Sequence, residues 1–323
     1  MRYIVRIAVL LAAAVLVPGS AAGQSYPAKP IRLIIGFPPG GGTDIIGRIV
    51  AQRLGDGLKQ QIIPDNRGGA SGLIAAEILA KEPADGHSIM MAHTAALSIL
   101  PSLYATLPYD PVRDFAPISL VAISPQLVVA HPSLPVKNIK ELIALARARP
   151  NQIHFASVGN GSVQHLAGEM FNLQAGVKMV HVPYKGAGPA VIDLVGGHVQ
   201  LSFDVIPVVI GHIKASKLRP IAVTSEKRTP LMPDVPTVNE GGLKGFDLST
   251  WWGLVAPARV RPEVVTRLHA ETVKALAQPD VRERIAANGA DAVGSSPEDF
   301  ASFIRNERAK YARIIKEANI KLD

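Results

Sequence analysis

Phe37-Pro38-Pro39-Gly40-Gly41-Gly42-Thr43-Asp44 lies between the apolar run Ile31-Arg32-Leu33-Ile34-Ile35 and a stretch where Ile46, Ile49, Val50, Arg53 and Leu54 recur at helical spacing. The pattern predicts a buried strand, a glycine turn and an amphipathic helix. Such a turn lets backbone approach a ligand and aims free N–H groups at it. The helix dipole adds roughly half a positive charge there. Taken alone it is either a capped helix start or a candidate anion site; two such turns in separate lobes favour a site that grips an anion from both sides.

A second turn of this kind, Ser157-Val158-Gly159-Asn160-Gly161-Ser162, falls between an apolar run at 153–157 and a helical pattern at 162–175. Ser162 is placed to cap that helix and Ser157 to donate to a ligand oxygen. A third loop, Pro183-Tyr184-Lys185-Gly186-Ala187-Gly188-Pro189, again precedes a helical pattern. Tyr184 offers a ring and a hydroxyl there. Asp204 ends the run 199–204 before Pro207, so it either caps the next helix or points into a cleft. Asp44 carries a similar pair of readings: cap and dipole partner of its helix, or contact to a ligand hydroxyl or amine.

Familiar catalytic and nucleotide motifs are absent. Thr43-Asp44 follows Gly42 where a P-loop needs lysine, and Ile45 stands where a dinucleotide fingerprint needs glycine. The chain has no Gly-x-Ser-x-Gly elbow, no His-Glu-x-x-His and no tight histidine spacing, so neither a metal nor a cofactor is expected. His165 and Glu169 are an ordinary i,i+4 pair. A Ser162–His165 dyad lacks a third member.

The whole chain alternates strand and helix patterns, which points to α/β architecture with largely parallel sheets. Strands are expected at 31–36, 87–92, 117–131, 153–157, 178–182, 199–204, 218–224 and 247–255. Helices are expected at 44–59, 71–81, 138–148, 162–175, 187–196, 207–215, 262–277, 279–288 and 297–318. Two segments read as crossings between lobes, 117–132 and 246–257. The first is longer than one ordinary strand needs. Lobe 1 is then 23–124 plus 226–323 and lobe 2 is 125–225, with a hinged cleft between them.

Arg2 and Arg6, the apolar run Ile7 to Val17 and the small residues Pro18-Gly19-Ser20-Ala21-Ala22 form a secretory signal covering 1–22, cleaved near Ala22. Its loss lowers the net charge from +8 to +6. There are no cysteines, so about 300 remaining residues must be held by their own cores. Basic residues are scattered and aromatics make up only 5%, which argues against nucleic acid.

Several of these segments, in this order and spacing, are characteristic. They are Tyr26-Pro27-x-x-Pro30-Ile31-Arg32, the first glycine turn, Glu82-Pro83-Ala84-Asp85-Gly86 and Leu107-Pro108-Tyr109-Asp110-Pro111-Val112-Arg113-Asp114-Phe115. Gly159-Asn160-Gly161-Ser162-Val163-Gln164-His165, Val182-Pro183-Tyr184-Lys185-Gly186 and Gly253-Leu254-Val255-Ala256-Pro257 follow. The chain resembles the periplasmic solute receptors of tripartite tricarboxylate transporters, the Bug receptor family, over nearly its whole mature length. The resemblance implies a two-lobe, type II periplasmic-binding-protein fold that closes on a small organic carboxylate. It implies a monomer that delivers to two integral-membrane transporter subunits.

Carried over by position, the resemblance implies ligand contacts at Phe37, Gly41, Gly42, Thr43 and Asp44. In the second lobe it implies Ser157, Gly159, Asn160, Gly161, Ser162, Tyr184, Gly186 and Asp204. One loop departs from the pattern. Where many relatives carry a second hydroxyl, this chain has Ala96, so the contact is lost or passes to Thr94 or Ser98. That favours a ligand with an apolar part, shelved by Phe37 or Trp252, over a highly polar tricarboxylate. Two other readings remain open: a ligand sensor docking on a membrane kinase or chemoreceptor, and a secreted hydrolase using Ser162 and His165.

Overall fold

The computed structural model describes residues 26–321. The secretory-signal reading of 1–22 lies outside them. Among the described residues, no helix is long and apolar enough to cross a membrane.

The chain builds two sheets joined by one strand. The first lobe carries β1 (Ile31–Ile35), β2 (Ile62–Asn66) and β3 (Ser88–His93), all parallel, in the order β2-β1-β3. β9 (Ser249–Pro257) runs antiparallel to β3 and pairs in turn with the first half of β4 (Phe115–Ala130). In the second lobe β5 (His154–Ser157), β6 (Val180–Pro183) and β7 (Leu201–Val205) are parallel. β7 pairs antiparallel with the second half of β4, which also pairs with β8 (Arg219–Val223). The sheets are therefore mixed where the sequence pattern suggests largely parallel ones. The antiparallel strands are those that pass between lobes.

β4 spans 16 residues and is the first crossing read from the sequence. Pro117 and Pro125 sit where a strand can spare an N–H. Pro117 lies at a register shift against β9, and Pro125 is the last residue paired with β9 before Gln126 turns to β7. The return crossing is sharper than 246–257. Leu248 still packs in the second lobe's core, and the next residue, Ser249, pairs with Pro125 in the first sheet. Residues of 226–248, assigned to lobe 1 by the sequence reading, lie against the second sheet. Val223 bridges Thr237, while Val238, Leu243 and Phe246 join the second core.

All helices but α3 follow the expected positions: α1 (Gly42–Leu58), α2 (Leu73–Lys81), α3 (Leu100–Leu103), α4 (Ile139–Ala148), α5 (Val163–Ala175), α6 (Ala187–Val195), α7 (Ile206–Lys214), α8 (Pro262–Ala277), α9 (Pro279–Ala287) and α10 (Pro297–Glu317). α3, the wide turn Ala95–Ile99 before it, β2 and the two-residue β10 (Asp291–Ala292) were not read from the sequence. α10 serves both cores. Phe300 and Ile304 pack under the first sheet, and Tyr311, Ile314 and Ile315 pack under the second.

Candidate functional site

Four helices begin at the seam between the lobes. α1 starts after Gly41, α6 after Gly186 and α7 after Val205, none with a side-chain cap among the described residues. α5 starts after Ser162, whose Oγ accepts from His165 N at 3.2 Å. A narrow cavity of about 40 Å3 lies among these ends. Phe37, Gly41, Gly42, Thr43, His93, Ala95, Thr250 and Trp252 line it from the first lobe. Val158, Ser162, Val163, Gln164, Ala187, Asp204, Val205 and Val208 line it from the second. No lysine or arginine is among them. Attraction for an anion would come from backbone dipoles, each worth roughly 0.3–1 kcal/mol, up to about 2 when partly buried.

The lobes meet closely. A Cβ on Gly42 would lie 2.9 Å from Val205 Cγ2, and one on Gly186 would lie 3.0 Å from Pro38 Cγ. Trp252 Nε1 donates to Thr43 Oγ1 at 3.1 Å, which ties the indole to the opening turn of α1. Phe37 packs against the buried His93, ring centroids 4.6 Å apart. Both proposed apolar shelves thus border the cavity.

Two buried ionisable groups face it. Asp204 is 1% exposed, and burial pushes its carboxyl up to about 6. Its Oδ1 accepts from Val205 N at 2.8 Å and from Gln164 Nε2 at 3.4 Å. Burial drives His93 down to about 3, so its imidazole is neutral, with Nδ1 accepting from Ala95 N at 3.2 Å. At neutral pH Asp204 is the cavity's one charged side chain.

Residues 46–320 match the model of the tripartite tricarboxylate transporter family receptor. The chain belongs to this receptor family. It is 37% identical to the protein BugT of Bordetella pertussis over 93% of this chain and 92% of that one. Among solved structures, the adipate complex of Rpa4515 from R. palustris has a TM-score of 0.89 and 34% identity, covering 92% of this chain and 99% of that one. MatC of Rhodopseudomonas palustris with bound malate gives 0.86 and 30%, covering 90% and 100%. Receptors of this family are periplasmic solute-binding proteins, and the two-lobe fold with its intervening cleft is the family's.

Of the residues named from the resemblance, Phe37, Gly41, Gly42, Thr43, Ser162 and Asp204 border the cavity. The other implied contacts lie behind it. Asp44 turns back on its own loop, accepting from Gly40 N at 2.9 Å and Asn66 Nδ2 at 3.0 Å and pairing with Arg48 Nε at 2.8 Å. Ser157 Oγ holds its loop from beneath, 2.6 Å from His181 Nε2 and accepting from Gly159 N at 3.1 Å. Gly159, Asn160 and Gly161 shape that loop, with φ of 140° and 73° at the two glycines. Gly186 faces Pro38 across the seam. Tyr184 donates to Asp193 Oδ2 at 2.7 Å, away from the cavity; partial burial and that carboxylate push its phenol up to about 12.

Thr94, Ala96 and Ser98 are fully buried and do not border the cavity. Thr94 Oγ1 accepts from Trp251 N at 2.9 Å instead. His93, Gln164 and Thr250 are the polar wall residues that sequence reasoning missed. The position of Gln164, two residues past the Ser162 cap, was the available signal for one of them. His165 stacks on His181 with centroids 4.0 Å apart and accepts from Gly161 N through Nδ1. Its ring makes no hydrogen bond to Ser162 Oγ, which serves the helix as a cap.

Proposed function

We propose that this receptor captures a small organic carboxylate in the periplasm by closing its lobes and delivers it to the integral-membrane subunits of a tripartite tricarboxylate-type transporter. The observation that carries the reading is the convergence of helix N-termini from both lobes on one cavity without a basic side chain. Backbone dipoles then hold the carboxylate, and capture from both sides offsets the cost of closure. Bound adipate in Rpa4515 and bound malate in MatC support a carboxylate as the cargo. Phe37, Val158, Val163, Ala187, Val205, Val208 and Trp252 favour a mono- or dicarboxylate with an apolar body over a tricarboxylate. The mature chain starts after cleavage near Ala22 and acts as a monomer.

Gly41, Gly42 and Thr43 supply the first lobe's half of the cradle, and Ser162, Val163, Gln164 and Asp204 supply the second. The remaining implied residues, Asp44, Thr94, Ser157, Gly159, Asn160, Gly161, Tyr184 and Gly186, shape the loops that carry those contacts. The test is a thermal-shift screen of the mature protein against aliphatic, hydroxylated, amino and aromatic carboxylic acids. A ligand at a hundred times its dissociation constant adds about 2.7 kcal/mol, a shift of several degrees. A coherent cluster of hits is expected. Silence across the panel, with ligand-free protein verified by mass spectrometry, would overturn the reading.

A further inference from the structure

The turn that precedes α2 is held in a conformation that side chains rarely adopt. Gly69, Ala70, Ser71 and Gly72 have φ of 139°, 45°, 51° and 86° in succession, so two residues with side chains occupy the left-handed region. The surroundings hold the turn there. Gly72 rests against the buried His93, whose Nε2 would lie 2.2 Å from a Cβ at that position. The strained turn also carries a contact that crosses the cleft. Ser71 Oγ, 5% exposed, donates to the backbone carbonyl of Asn160 at 2.7 Å, joining residues 89 positions apart. Asn160 belongs to the glycine loop ahead of α5, so the hydroxyl reaches from one lobe onto the loop that positions the other lobe's helix terminus.

We propose that Ser71 is a positioning residue for ligand capture: a latch that binds the Asn160 carbonyl only when the lobes are shut, and so sets the population and lifetime of the closed state. The inference rests on the lobe-closure part of the proposed function. In the open state the hydroxyl and carbonyl separate into water. Closure exchanges those water contacts for one partly buried hydrogen bond outside the cavity. The latch also leans on His93 and, through it, on Phe37, both of which border the cavity. A filled cavity braces the wall on which the strained turn rests. Ser71 therefore acts on affinity without contributing to selectivity, since it contacts the loop and never the cargo.

The chain has no cysteine, so Lys81→Cys with Lys178→Cys, exposed positions on opposite lobes, accepts spin labels cleanly. Pulsed dipolar spectroscopy then reads lobe separation, with adipate and malate as probes. The parent is expected to show a closed distance that gains population with a probe. Ser71→Ala should move the closed-to-open ratio about fivefold toward open, the effect of losing one neutral hydrogen bond. The ligand-free melting temperature should stay unchanged. Ser71→Asn, which tolerates positive φ and retains a donor, should recover the closed population.

An unchanged distance distribution in Ser71→Ala overturns the latch. So does an Asn variant as open as the Ala variant, or a parent that is open under every condition. A parent that closes without responding to either acid, yet opens in Ser71→Ala, supports the latch and removes these two acids as cargo.

Discussion

Gly42 is the position where substitution tests the cradle most directly. It opens α1, borders the cavity and has no room for a side chain. A Cβ there would stand 2.9 Å from Val205 Cγ2 across the seam and 3.0 Å from Trp252 Cζ2 within its own lobe. Relieving such overlaps costs about 1–3 kcal/mol, and the Val205 part arises only when the lobes close. Gly42→Ala should therefore weaken ligand binding roughly fivefold to a hundredfold. Gly42→Asp adds a carboxylate beside the bound one. At 4 Å and an effective dielectric of about 20, their repulsion is about 4 kcal/mol. Together the two effects should lower affinity at least about a thousandfold, beyond calorimetric detection for a micromolar ligand. The assay is isothermal titration with the strongest acid from the thermal-shift panel, alongside the ligand-free melting temperature of each variant. Unchanged affinity in a folded Gly42→Asp protein would remove the α1 terminus from the site and refute the dipole account.

Asp204 should make both stability and binding depend on pH. Its folded pKa of about 6 lies above the ordinary carboxylate value, so between roughly pH 4 and 6 the folded state holds the extra proton. Stability from this group is then present at the acid end and is lost as pH rises through 6, by about 3 kcal/mol in all. Asp204→Asn should flatten that profile in denaturant titrations, and ligand affinity in the parent should increase as pH falls from 7 to 5. Ser162→Ala should cost about 1 kcal/mol of stability through the lost cap, read as a lower melting temperature, with no change in background ester hydrolysis. A Ser162-dependent turnover would instead favour the hydrolase. Trp252 borders the cavity and Trp251 does not, so ligand-induced fluorescence change should persist in Trp251→Phe and disappear in Trp252→Phe.

The glycine turns were legible because their chemistry is local. Apolar run, glycines and helical period stand side by side in the chain, and the structure places three such turns at one seam. What escaped was set at long range. Strand β2 reads Ile-Ile-Pro-Asp-Asn and is half-exposed at the sheet edge, so no apolar period announces it. The direction of a side chain was equally hidden. Asp44 and Tyr184 are drawn away from the cavity by Arg48, Asn66 and Asp193, partners whose positions depend on the finished fold. His93 and Thr250 come from strand residues that meet only when β3 and β9 pair. The same holds for Ser71, whose role depends on a carbonyl 89 residues away.

The shared elements also bear on how the molecule is assembled. β4 runs through both sheets, and α10, near the end of the chain, completes both cores with Phe300 and Ile304 on one side and Tyr311, Ile314 and Ile315 on the other. Neither half finishes burying its apolar surface without this shared helix. Folding of the two halves is thereby coupled, and they should melt in one cooperative calorimetric transition.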